Sequence, residues 1–205
     1  MTFLVKTMMG LTEALEVVEA INSREIHWSS LPESHKRKVR TAWKVFVDHY
    51  STNPKAFIED FIKIIHGETN EECDFILNAA QDKVITALRT NRFIAAPKAR
   101  QLGITTLTNA LALHHALFSR NANVICMAYK TDNAAENLKR IKTMFHTLPE
   151  WVQRATMHWD EKASHQNNMS LWSFKSKITK TASKIEVSSA SSEDSTRGKT
   201  PTFLH

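Results

Sequence analysis

Cysteine and glycine are scarce in this chain. Among 205 residues there are two cysteines, Cys73 and Cys126, with four glycines and five prolines. Two cysteines build neither a disulfide framework nor a cysteine-based zinc centre. Such sparing use suits a reducing, intracellular compartment. The low glycine and proline content excludes collagen-like, linker-like and glycine-rich repeat architectures. Long apolar runs are also missing, since no stretch approaches the ~20 residues of a spanning helix. At the N-terminus Lys6 interrupts the apolar start, and Glu13, Glu16 and Glu19 follow at helical spacing. A secretory leader needs an unbroken apolar segment and a small-residue cleavage site, and neither is present. The expectation is a soluble, cytoplasmic protein.

What is present suffices for a packed core. The chain is 42% hydrophobic and 23% charged, which argues against a disordered tail. At about 150 residues per domain, the length suggests one domain and part of another. The formal net charge is +6, and it is unevenly placed. Between Arg92 and Arg154 nine bases face three acids, while bases and acids balance elsewhere. A basic middle segment favours an anionic partner, nucleotide or nucleic acid. It reads equally as a solvated basic surface.

Hydrophobic periodicity divides the chain. Residues 10–65 read as helices, with stripes at Leu11, Leu15, Val18 and Ile21, then at Val39, Trp43, Phe46, Val47 and Tyr50. Asn53-Pro54 opens a third helix carrying Phe57, Phe61 and Ile64 on one face. The run from His35 to Lys38 reads as a solvated helix start rather than a nucleic-acid patch. Gly67 to Cys73 is a polar break, and Phe75 to Arg89 reads as helical. Arg92 to Ala96 is a short apolar run consistent with a buried strand, closed by Pro97. A helix is expected over Thr105 to Ser119, with Leu107, Ala110, Leu111, His114 and Leu117 inward. A second buried strand covers Asn123 to Tyr129. Another helix covers Asn133 to His146, capped by Thr131-Asp132 and ended by Leu148-Pro149. Strand-like pieces follow at Met169–Phe174 and Lys184–Ser189, with an apolar run beginning at Thr202. The alternation from residue 92 is a βαβ pattern, which implies a parallel sheet with its functional loop at a strand's C-terminal end.

The loop after the first of these strands reads Pro97-Lys98-Ala99-Arg100-Gln101-Leu102-Gly103-Ile104-Thr105-Thr106. Against the phosphate-loop pattern G-x-x-x-x-G-K-[ST], Gly103 fits the second glycine and Thr105 the hydroxyl. Ile104 occupies the lysine position, and Lys98 stands where the first glycine would be. The physical demands can still be met. Backbone N–H groups at a helix start cradle phosphates with the helix dipole behind them. A threonine hydroxyl suits Mg²⁺. A lysine can reach the β/γ-phosphates from either end of the loop, and Arg100 adds a second cation. An ordinary strand–helix turn fits the same residues.

On this loop the chain resembles the large terminase subunit of tailed bacteriophages, the ATPase of the DNA-packaging motor. Arg100-Gln101-Leu102-Gly103-x-Thr105-Thr106 is similar to that family's Walker A segment, many members of which carry the lysine early, as Lys98 is here. Gln81 falls at the place of the family's adenine-recognising glutamine, and Asn53 to Lys63 looks like the helical segment upstream of it. Ala128-Tyr129-Lys130 with Ala135-Glu136 looks like the second ATPase strand and its helix, and Leu148 to Trp151 like that helix's end. Ser189 to Ser192 and Arg197-Gly198 look like the segment before Walker B. The resemblance covers about residues 50 to 205.

The resemblance implies a P-loop NTPase fold of the RecA/ASCE-like kind: a parallel sheet flanked by helices, incomplete, in residues 67–205, preceded by a helical region over 1–66. It implies ATP and Mg²⁺ as cofactors. In the implied site, residues 98–106 and Gln81 bind nucleotide, with Lys98 on the phosphates and Arg100 on the γ-phosphate. Thr105 holds Mg²⁺ and Arg197 couples the nucleotide to neighbouring elements. The implied partners are double-stranded DNA, the portal protein and the small terminase subunit, in a homo-oligomeric ring in the host cytoplasm, with no membrane. Read from the residues alone, Gln81 is equally an exposed helical glutamine, Lys98 a surface lysine, and Arg100 a salt-bridge partner at a helix start. Thr105 is equally a hydroxyl cap and Arg197 a loop arginine.

One departure stands out. Thr202 to His205 looks like the opening of the Walker B strand, whose acids would lie beyond the last residue, and the nuclease domain is missing too. Val45 to Asp48 and Phe57 to Asp60 imitate Walker B but precede the loop in helical patterns. The expectation is an N-terminal fragment or the first half of a split gene, weak or inactive in hydrolysis alone. The alternatives are a non-enzymatic docking or DNA-binding module and another helicase-like ATPase. His114 and His115 are expected in the core or on the surface rather than as ligands, Cys126 in packing, and the five tryptophans as core anchors.

Overall fold

The computed structural model describes residues 9–23, 31–67, 69–91, 94–95, 102–158, 167–190 and 200–204. Three helices come first: α1 (Leu11–Ser23), α2 (Glu33–Thr52) and α3 (Pro54–Phe61). Helix α2 buries Ala42, Phe46 and Tyr50, spaced four apart along one stripe. Helix α3 begins as its sequence dictates. Pro54 takes a first-turn position and the Asn53 side chain accepts from the Ala56 amide at 3.3 Å. Phe57, Phe61, Tyr50 and Phe46 meet edge-on or tilted with ring centroids 5.0–6.5 Å apart, an arrangement that aromatic quadrupoles favour.

Strands β1 (Lys63–Ile65) and β2 (Glu72–Asp74) form an antiparallel hairpin, and α4 (Ala79–Leu88) follows. The main layer contains α5 (Ile104–Phe118), β3 (Asn123–Ala128), α6 (Thr131–Thr147), α7 (Glu150–Thr156), β4 (Leu171–Lys175), β5 (Ala182–Ser189) and β6 (Phe203–Leu204). The sheet order is β4-β5-β3-β6. Strand β3 runs parallel to β5, with Cys126 opposite Val187, and parallel to β6, with Val124 opposite Phe203. Strand β4 is antiparallel to β5, with Trp172 opposite Ile185. Helix α5 is buried on nearly every side, from Leu107 through Phe118. That is the pattern of a helix enclosed by other elements. One hydrophobic cluster joins Ala14 and Val18 of α1 to Leu113 of α5, Cys126 of β3 and Ile185 of β5.

The class is therefore α/β, a sheet with parallel strands flanked by helices, but the sheet is mixed rather than parallel throughout. The β4–β5 hairpin places one antiparallel strand at its edge. Other expectations are also corrected. Ile64 belongs to β1, because α3 stops at Phe61. Helix α4 begins at Ala79 rather than Phe75, since Asn78 caps it there. Lys130 is the N-cap of α6, without a side-chain bond, so Thr131 and Asp132 lie inside the first turn. Helix α7 was not anticipated. Residue 66 lies in the turn of the β1–β2 hairpin. Of the expected strand over 92–96, only Ile94 and Ala95 are described, and neither is in a strand.

Several readings agree with the structure. The inward set on α5 is buried at all five positions, and β3, β4 and β5 lie where the apolar runs place them. Both Walker B look-alikes sit in helices. Asp60 accepts a 2.9 Å hydrogen bond from the Tyr50 hydroxyl, and Glu59 accepts from the Leu77 amide. Of the tryptophans, Trp151 and Trp172 are buried, and Trp43 is half-buried against Phe46. Lys36 and Lys38 pair with Glu33 and Glu13 at the largely exposed start of α2. No helix among the described residues is long and apolar enough to cross a membrane.

Candidate functional site

The site is a corner where the start of α4 meets the start of α5. Asn78 and Gln81 form a reciprocal cap on α4. The Asn78 side chain accepts from the Ala80 and Gln81 amides, each at 3.0 Å, while Gln81 Oε1 accepts from the Asn78 amide at 2.9 Å. The same two side chains also reach across 22 to 24 residues of sequence. Asn78 Nδ2 donates to the Leu102 carbonyl at 3.3 Å, and Gln81 Nε2 donates to the Gly103 carbonyl at 3.0 Å. The end of the loop is thus clamped to a capped helix. Lys55 of α3 meets Asp82 at 2.7 Å, which ties α4 back to the N-terminal helices.

Gly103 is the N-cap of α5 and adopts a left-handed conformation, φ +66° and ψ 16°. Two facts favour glycine here. The left-handed region is strained for residues with a Cβ. A Cβ here would also lie 2.7 Å from Gln81 Nε2. Gly103 as N-cap has no side chain to cap the start of α5. Its first-turn N–H groups and the positive end of its dipole therefore face the loop from which Gly103 emerges.

Asn109 follows Thr105 by one helical turn. It is fully buried, and neither end of its amide has a hydrogen-bond partner among the described residues. An unsatisfied buried amide is costly and calls for explanation. Beside the first turn runs a cleft of about 560 Å³, lined by Thr106 together with Lys63, Glu136, Lys139, Arg140 and Thr143. Arg140 pairs with Glu136 at 3.4 Å and Lys63 with Glu72 at 3.3 Å.

The expected residues fall into two groups. Gln81, Leu102, Gly103, Ile104, Thr105 and Thr106 are brought together at this corner. Lys98, Ala99, Arg100, Gln101 and Arg197 lie outside the described residues. Gln81 is 3% exposed, so it is not the solvent-facing glutamine that the bare sequence allows. Its amide is engaged within the chain, shaping the loop. Thr105 is not the cap of α5, since Gly103 occupies that position. No protein-family model matches the chain.

Sequence reasoning missed Asn78, Asn109, Lys139 and Arg140 as site residues. The Asn78-x-x-Gln81 spacing is a capping signature and could have located the first. Lys139 and Arg140 were visible only as part of the basic excess. His114 and His115 stand away from this corner. His114 is 8% exposed, with Nε2 2.7 Å from the Tyr50 carbonyl. A carbonyl only accepts, so Nε2 carries the proton. His115 bonds the Thr202 hydroxyl at 2.9 Å and helps seat β6. Burial pushes the Cys126 thiol up to about 12, so it packs rather than reacts.

Proposed function

We propose that the chain is the ATP-binding part of a phage terminase large subunit, within a P-loop NTPase fold. The observation that carries this reading is the glycine-started α5, whose preceding carbonyls, those of Leu102 and Gly103, are clamped by Asn78 and Gln81. A fixed array of helix-start N–H groups suits a phosphate. The unpaired Asn109 amide one turn below and the basic cleft beside Thr106 add support. In this reading the triphosphate lies over the first turn of α5. Lys98 and Arg100 bring positive charge from the loop. The Thr105 hydroxyl supplies an oxygen ligand of the kind Mg²⁺ takes. Gln81 positions the loop beside the adenine side of the nucleotide, and Arg197 couples the site to the segment before β6. Hydrolysis would serve translocation of double-stranded DNA into a capsid, with the portal protein and small subunit as partners in a ring.

Calorimetric titration with Mg-ATP tests the reading. The wild-type chain binds, and Lys98→Ala weakens binding at least about tenfold, the loss of one charge-assisted phosphate contact. Equal affinities would remove Lys98 from the site. No binding by the wild type would sink the reading as a whole.

A further inference from the structure

A second cationic site lies at the opposite end of α5. The turn after β4, residues 176–181, is anchored there. The Ser176 hydroxyl donates to the Leu117 carbonyl at 2.7 Å and accepts from the Ile178 and Thr179 amides, both at 3.2 Å. The Thr181 hydroxyl accepts from the Asn121 amide at 2.8 Å. The turn is held from both sides, so the lysines it carries are presented from a fixed frame. Fifteen helical residues separate the two ends of α5, roughly 20 Å at 1.5 Å per residue.

Two adjoining clefts open beside this turn. One, of about 610 Å³, is lined by Ile21, Asn22, Glu150, Gln153, Arg154 and Lys177. The other, of about 310 Å³, shares Ile21, Asn22 and Lys177 with it and adds Arg40, Trp43 and Lys180. Among the described residues the lining of these adjoining clefts, between α1, α2 and α7, includes the cations Arg154, Lys177, Lys180 and Arg40 and one acid, Glu150. The acid, Glu150, pairs with Arg154 at 2.6 Å. Lys177 stands between the clefts, with Nζ 2.6 Å from the Arg154 carbonyl. Burial, Lys180 and Arg154 all hold its proton affinity down. Cations gathered on one surface raise the local potential and draw an anion to it.

Lys180 adds an independent sign. It is exposed and adopts a left-handed backbone, φ 62°. Glycine or asparagine would sit there with less strain. Its ammonium has no ion-pair partner among the described residues. A lysine kept at a strained position, beside other cations and unpaired, fits a charge used on something outside the chain.

We propose that this groove binds phosphate, through Lys177, Lys180 and Arg154, at a site separate from the α5 loop. Flexible point charges along an open groove suit the repeated phosphates of a nucleic-acid backbone, which need charge more than fixed geometry. A free polyphosphate presents the same chemistry. The inference does not rest on the nucleotide reading, because none of its residues belongs to that corner.

Lys177 also serves the C-terminal end of α7, so the test leans on Lys180→Asn and Arg154→Gln, alone and combined. Fluorescence anisotropy with a short labelled duplex, and calorimetry with tripolyphosphate, are run across about 50 to 200 mM salt. Each lost contact should reduce duplex affinity roughly tenfold at about 0.1 M salt and lower the salt slope by about one. Lys180→Asn should melt at or above the wild-type temperature, because asparagine relieves the backbone strain. Lys180→Arg should retain binding. Weakening confined to the duplex identifies the backbone as the source, and weakening confined to tripolyphosphate identifies free polyphosphate. Either supports the site. Unchanged affinity and slope for both probes overturns it, as does equal loss in Lys180→Arg. Poly-glutamate binding with the same variant dependence, and no phosphate binding, would reassign the groove to an acidic chain. Mg-ATP affinity should stay at wild type in the double variant, so failure of the nucleotide reading leaves this result standing.

Discussion

At the scale of the residue, Gly103 is the most constrained position in the candidate site. Its φ of +66° and the 2.7 Å approach of Gln81 Nε2 both act against any side chain. Gly103→Ala should cost about 1–3 kcal/mol, the usual range for a strained left-handed residue, read as a lower urea midpoint. No change would show that the corner relaxes without the Gln81 clamp. The sequence offered Gly103 only as one letter of an imperfect phosphate-loop pattern. Its conformation depends on where Gln81 lies, and pattern matching cannot see that.

At the scale of the element, the start of α4 acts twice. Asn78 and Gln81 close their own helix and also hold the carbonyls of Leu102 and Gly103. Asn78→Ala should lose both functions and cost about 0.5–2 kcal/mol, the range for an N-cap. Asn78→Ser should keep the cap and lose the bond to Leu102. Chemical denaturation separates the two. If the serine variant is as weak as alanine, the clamp matters more than the cap. Long amphipathic or wholly apolar elements such as α2, α5 and β3 were legible because burial imposes a period or an unbroken run. The β1–β2 hairpin and α7 were not. Their strands of three residues and helix of seven are too short to show a period, and neighbours in the fold stabilise them.

At the scale of the whole molecule, His114 joins the N-terminal helices to α5 through the Tyr50 carbonyl. Burial holds its imidazole down, from 6.5 to about 4, and burial lowers His115 as well. An unfolded chain protonates His114 near 6.5, whereas the folded chain resists until about 4. Acid therefore favours the unfolded state across that window. Stability should be full above pH 6.5 and fall by up to about 3 kcal/mol by pH 4. His114→Gln keeps a donor for Tyr50 and should flatten most of this slope. Urea midpoints at neutral and mildly acidic pH check it, and an equal slope in the variant would assign the acid sensitivity elsewhere. The sequence by itself determined the α/β class, the basic middle segment and the inward face of α5, because hydrophobic period and charge are properties of adjacent residues. Only the tertiary structure decided the mixed sheet, the Gln81–Gly103 clamp and the groove around Lys177. Each joins residues distant in sequence, and their pairing is set by the packing of the whole core.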